Sequence, residues 1–175
     1  MTQLFVTADT QQRTLGQLTF ATTSYRCALG RSGIHADKTE GDGATPIGTF
    51  PFRRLFYRAD RLSAPQTNLP IQAIRQNDGW CDAPDDRNYN RFVQLPYGAS
   101  AENLWRDDRI YDLIFVIGHN DDPVVPNLGS AIFMHVASPD YGPTAGCIAL
   151  AESDLLDIAR VLRPGSTLTI NPPAG

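Results

Sequence analysis

The apolar residues of this chain come in short runs, and most runs are closed by Gly, Pro, Asn or Asp. Leu4–Thr7, Gln17–Ala21, Tyr25–Leu29, Phe92–Leu95 and Thr167–Ile170 read as strands. Pro46 and Gly48 punctuate a turn that feeds another strand through Phe50 and Phe52. Leu113–Ile117 and Ala131–Val136 are continuous apolar runs, the pattern of central strands. Helical spacing is clear at about 153–162, where Leu155, Leu156, Ile158, Ala159 and Leu162 form one stripe. Ser153 or Glu152 lies at its start and Pro164-Gly165 stops it. The expected fold is mainly β, with one packed helix, in a single domain over residues 1–175. The stretch from about Arg58 to Tyr111 reads as mostly irregular, a loop region long enough to be functional. The last five residues, NPPAG, read as a frayed tail.

Composition closes off several functions. The net charge of −4 and the pI near 5.2 argue against a nucleic-acid partner. No apolar stretch approaches a transmembrane span. The start, MTQLFVTADTQQRTLG, has no basic segment followed by an apolar one, so no secretory signal is read there. The three cysteines do not suggest a disulfide framework. Cys27 reads as a small buried hydrophobe, and a Cys27–Cys81 bridge is left open.

The chemistry concentrates in Gly129–Leu150, GSAIFMHVASPDYGPTAGCIAL. An apolar run ends in His135, and twelve residues later Gly146-Cys147 sits in a turn of small residues. A thiol and an imidazole on neighbouring edges of one β-rich core are the minimum for covalent acyl transfer. Cys147 is the candidate nucleophile and His135 the candidate base. The N–H groups of Gly146 and Cys147 are the candidate oxyanion donors. Ser138 or a backbone carbonyl is the candidate group that orients the His135 ring. His35 and His119 add two imidazoles, but there is no CxxC, HExxH or H-x-E pair, so no metal is expected. The glycine-rich stretch GRSGIHADKTEGDGATPIGTF matches neither phosphate-loop nor dinucleotide fingerprints. Lys38, Glu40 and Asp42 within it are either a hydrated loop or contacts to a substrate beside Cys147.

Two patches resemble the L,D-transpeptidase catalytic domain, the YkuD family. One is GRSG followed by ATPIGTF, similar to the family's glycine segment and Thr-Pro-x-Gly-x-Phe. The other is the strand carrying His135 followed by Gly146-Cys147-Ile148, similar to the signature that ends in Ser/Thr-His-Gly-Cys. Ala145 stands where the family usually has His, Ala149 where it usually has Arg or Asn, and the His135-to-Cys147 spacing is shorter than usual. The chain therefore resembles an atypical branch with TAGC at the nucleophile. The resemblance implies a β-sandwich with one packed helix and long functional loops. It implies a peptidoglycan L,D-transpeptidase acting on stem peptides through a Cys147 thioester, with no cofactor and with carbapenems as inhibitors. That branch is associated with crosslinks between stem residues one and three. Arg31, Lys38, Trp80, Tyr89, Asn90, Trp105, Arg106 and His119 are expected to line the cleft with Ser138 and Thr144. Arg31, Lys38 and Arg106 are expected to pair with stem carboxylates. Such a function places the protein in the periplasm or cell envelope, with the cytoplasm as the alternative from the missing signal. Three other functions stay open: an L,D-carboxypeptidase or amidase, a non-catalytic cell-wall binding module, and a cytoplasmic thiol or redox protein.

Overall fold

Alternation decides which side of each early strand faces inward. A computed structural model describes residues 1–173. In β1 (Gln3–Ala8) Leu4, Val6 and Ala8 are buried while the residues between them are exposed. The chain continues through β2 (Leu15–Phe20), β3 (Thr23–Ala28), the two-residue β4 (Ile34–His35) and β5 (Thr45–Pro46), and the long β6 (Gly48–Tyr57). Short strands follow: β7 (Ile71–Ala73), β8 (Asp78–Cys81), β9 (Phe92–Gln94) and β10 (Ala101–Asn103). Then come β11 (Leu113–Ile117), β12 (Phe133–Val136), β13 (Ile148–Leu150), α1 (Glu152–Val161) and β14 (Thr167–Ile170).

Nine strands form one sheet in the order β11-β12-β13-β3-β2-β1-β14-β6-β7. Its first strand, β11, also pairs with β6, so the sheet closes on itself. The length of β6 makes this closure. Its first residues pair with β14 and its later ones with β11. The two layers expected of a sandwich are thus two sides of one closed sheet. Inside lies a core of Leu4, Val6, Leu18, Leu55, Phe115, Met134, Ile148 and Leu168, joined by Leu155, Ile158 and Ala159 of α1. The helix begins after Ala151, which makes no side-chain cap, so neither Ser153 nor Glu152 caps it.

A second core lies on the outer face. β11 is buried along its whole length because both its faces are covered. Leu113, Phe115 and Ile117 point into the first core, and Ile114 and Val116 into a second with Phe56, Trp80, Leu104, Tyr111, Phe133 and Cys147. Covering this outer face is the work of the stretch expected to be irregular. Mostly irregular as expected, and with β9 at the expected strand, it also contains β8 and β10, which join β9 in a three-stranded sheet in the order β10-β8-β9. These strands have three or four residues each, too few to show a readable alternation.

Remaining sequence expectations shift by a residue or two at element ends. The run expected at Ala131 enters the sheet only at Phe133 because Ala131 has φ = 52°. All three cysteines are free, so the Cys27–Cys81 bridge is not formed. Cys27 is buried in the first core, as expected of a small hydrophobe. Of the tail, Ala174 and Gly175 lie outside the described residues. Among the described residues no helix is long and apolar enough to cross a membrane.

Candidate active site

Strand pairing brings the thiol and the imidazole together. β12 and β13 are parallel neighbours, with Met134 opposite Ile148 and His135 opposite Ala149. Cys147 therefore stands next to Phe133, two residues along from His135. Side chains two apart on a strand share a face, and diagonal neighbours across a ladder are within side-chain reach. Both groups line one cleft of about 540 Å³. His135 is 5% exposed and Cys147 7%.

Each group is held by the backbone. His135 Nδ1 lies 2.9 Å from the Val136 carbonyl oxygen. A carbonyl only accepts, so Nδ1 carries the proton and Nε2 has a free lone pair. The orienting group is thus a carbonyl and not Ser138. Ser138 Oγ instead donates to Asp140 at 2.7 Å and accepts from the Gly142 N–H at 3.0 Å, closing a turn at the cleft rim. The Tyr111 ring packs edge-on against the imidazole at 5.3 Å and against Phe133 at 6.0 Å. Cys147 Sγ donates to the Ala131 carbonyl at 3.2 Å and receives the Phe133 N–H at 3.4 Å.

Burial keeps the pair uncharged at rest. It lowers the pKa of His135 to about 4, chiefly by desolvation of the imidazolium. It raises that of Cys147 to about 12, again chiefly by desolvation, with the nearby Glu102 charge adding to the rise. At neutral pH the pair is a thiol and an imidazole, not an ion pair.

The two sequence patches meet behind Cys147. Thr45, from ATPIGTF, is fully buried. Its hydroxyl receives the Gly30 N–H at 2.9 Å and donates to the Gly146 carbonyl at 3.0 Å. Gly146 has φ = 132°, and a Cβ there would lie 2.7 Å from the Ala44 carbonyl oxygen. Its N–H donates to Thr144 Oγ1 at 3.1 Å, and it does not line the cleft. Its N–H is thus occupied by Thr144 in this arrangement, and its need for glycine is steric and conformational. Thr144 lines the cleft and its hydroxyl donates to the Cys147 carbonyl at 2.6 Å.

The other expected residues divide into two groups. Arg31, Lys38, Arg106, Ser138 and Thr144 line the cleft with Cys147 and His135. Trp80, Tyr89, Asn90, Trp105 and His119 do not, because the second core and its loops absorb them. The Trp80 indole donates to Asn90 Oδ1 at 3.0 Å. Asn90 in turn receives the Ala131 N–H at 3.0 Å and so fixes the carbonyl on which Cys147 rests. The Tyr89 hydroxyl donates to Glu40, a cleft residue. Trp105 packs beneath the Arg58 guanidinium, 3.6 Å from its ring centre. His119 Nε2 is tied to the Leu128 carbonyl at 2.9 Å.

Sequence reasoning missed Glu102, Asp82 and Tyr111, which also line the cleft. Lys38 and Arg106 have carboxylates of their own. Lys38 Nζ bonds Asp42 at 2.5 Å, and Arg106 reaches both oxygens of Asp108 at 2.9 and 2.6 Å. Among the described residues no cluster of His, Cys, Asp and Glu is set to hold a metal.

The family model of the YkuD L,D-transpeptidase catalytic domain matches residues 3–170. The chain belongs to that family. No curated protein matches the sequence. Among solved structures, an L,D-transpeptidase from Mycobacterium smegmatis is similar at 11% identity and a TM-score of 0.42. That similarity covers 98% of this chain and 59% of the mycobacterial one, so the chain spans well under two thirds of that protein.

Proposed function

We propose that this YkuD-family domain is a peptidoglycan L,D-transpeptidase in which Cys147 is the nucleophile and His135 the base. The observation that carries the reading is the adjacent, cleft-facing Cys147 and His135, with His135 Nδ1–H bound to Val136 O so that Nε2 is the basic atom. Because both groups are neutral at rest, the proton leaves sulfur as sulfur attacks the donor carbonyl. Nε2 accepts it, and the Val136 carbonyl stabilises the imidazolium through Nδ1–H. The Cys147 N–H is the proposed oxyanion donor. Collapse of the tetrahedral intermediate breaks the amide C–N bond. His135 returns its proton to the leaving amine, and a thioester on Cys147 remains. An amine from a second stem then displaces the sulfur and forms the crosslink.

Ala145 and Ala149, where the family usually carries larger polar residues, leave the substrate side of the nucleophile small and apolar. The resemblance to the branch with Thr144-Ala145-Gly146-Cys147 is what suggests the linkage between stem residues one and three, and peptidoglycan as substrate is what suggests the cell envelope; the motif itself does not choose between the two donor bonds. The test is incubation of wild-type protein and Cys147→Ala with purified disaccharide-peptides, with a carbapenem in parallel. Wild type is expected to yield dimeric muropeptides and a carbapenem adduct, and the folded variant neither. Cleaved monomers without dimers from wild type would make the protein a hydrolase. Unchanged turnover in the variant would remove Cys147 from the chemistry.

A further inference from the structure

Charge in the cleft is unevenly satisfied. Two of its three cations are committed to carboxylates, Lys38 to Asp42 and Arg106 to Asp108, while Arg31 donates to the Gly41 carbonyl at 3.1 Å. Its carboxylates are not so paired. Among the described residues Glu40, Glu102 and Asp82 form no salt bridge within 4.0 Å, although all three line the cleft. Glu40 is hydrogen-bonded by Tyr89 and by Ser130. Asp82 keeps one buried oxygen, Oδ1, with no hydrogen-bond partner. Glu102 is held at one oxygen, Oε1, by the hydroxyl of the buried Tyr111. Its Oε2 makes no hydrogen bond to the protein among the described residues. The same Tyr111 ring packs on His135, so Glu102 is tied to the catalytic wall through one rigid side chain.

We propose that Glu102 is the acceptor-binding residue of this enzyme, receiving the ammonium group of the incoming stem, with the Asp82 carboxylate behind it. The inference rests on the transpeptidase reading above. Burial raises the pKa of Glu102, making its carboxylate a better proton acceptor than an exposed one. Glu102 lines the same cleft as Cys147 and His135. In the step, the bound ammonium gives one proton to the Glu102 carboxylate and becomes a neutral amine. Its nitrogen attacks the thioester carbonyl, the N–C bond forms and the C–S bond breaks. The second N–H proton passes through His135 to the departing sulfur, restoring the thiol. Glu102 then releases its proton to water. Water carries no charge for Glu102 to hold, so this residue favours transfer over hydrolysis.

The substitution that tests it is Glu102→Gln, which keeps an acceptor for the Tyr111 hydroxyl. With donor stem alone, wild type and variant are compared by intact mass for the Cys147 adduct. With acceptor stem added, dimers, hydrolysed monomers and the acceptor KM are measured. The variant is expected to form the adduct but make about tenfold fewer crosslinks or less, as suits one lost charge-assisted contact. Acceptor KM is expected to rise and hydrolysed product to increase. Wild-type dimer yield and acceptor KM in the variant would overturn the proposal, and so would loss of the adduct itself. A second measurement uses wild-type protein only. An acceptor stem N-acetylated at its reactive amine is expected not to compete with the free-amine stem. Equal competition would overturn the ammonium site. Absence of any adduct on wild type would instead defeat the transpeptidase reading.

Discussion

One wall of the cleft is sheet and the other is mostly loop. Cys147 and His135 stand at the outer face of two parallel strands of the closed sheet, backed by the first core. Facing them, Glu102 stands on the three-residue β10, Asp82 just past β8, and Glu40 in the glycine-rich loop. The sheet wall is uncharged at rest and carries the proposed nucleophile and base. The loop wall carries three carboxylates that form no salt bridge among the described residues. Tyr111 joins the two, with its ring on His135 and its hydroxyl on Glu102. In the proposed reading the sheet scaffold holds the reactive pair, and the loops set what approaches it.

The difference can be broken on the sheet wall first. His135→Ala is expected to lower the acylation rate of Cys147 by about 10²- to 10⁴-fold, the usual worth of a positioned base. Stopped-flow acylation by a carbapenem checks it, and a variant as fast as wild type would remove His135 as base. Gly146→Ala ranks next. The added Cβ meets the Ala44 carbonyl at 2.7 Å, and φ = 132° is unfavourable for any L side chain. Loss of about 2 to 4 kcal/mol in chemical denaturation is expected, with activity falling as Cys147 is displaced.

Acid sharpens the comparison. The His135 pKa is lowered in the folded protein to about 4, below the ordinary value of 6.5. The unfolded chain therefore binds the extra proton between those values, and stability is complete above pH 6.5 and lost as pH falls toward 4. The expected contribution is up to about 3 kcal/mol, lost over that window. Denaturation of wild type and His135→Asn across pH 4–7 measures it, and identical slopes would refute the buried neutral imidazole. The smallest effect belongs to the link between walls. Tyr111→Phe keeps the ring on His135 and Phe133 but frees Glu102, at a stability cost of about 1 kcal/mol. Transfer is expected to suffer more than acylation, and an equal loss of both would show that Tyr111 serves the sheet wall alone.

The sheet wall was also the legible one. Leu113–Ile117 and Thr167–Ile170 were placed to the residue, because long apolar or alternating runs report their own burial. Cys147, His135 and the Thr-Pro-x-Gly-x-Phe patch were read from spacing and resemblance. The loop wall was not legible, because its strands are too short for periodicity. Glu102 lies in ASAENLWR, where a carboxylate has no sequence feature that separates a cleft from a solvated surface. Trp80, Tyr89, Asn90, Trp105 and His119 were singled out as cleft residues, yet their contacts hold the loops that hold the cleft. One clue was available for Thr45. A hydroxyl in a run of Gly, Ala and Pro has few roles other than bonding to backbone, and it bonds to backbone at Gly30 and Gly146.

The most direct measurement is a two-stage mixing experiment read by intact mass and peptide mapping. Wild-type protein is mixed with donor stem alone, then with excess acceptor stem. The expected result is an acyl adduct on Cys147 that forms first and decays into crosslinked dimer when the acceptor arrives. A dimer formed with no adduct, or an adduct mapped to any residue other than Cys147, would contradict a thioester on the sheet wall.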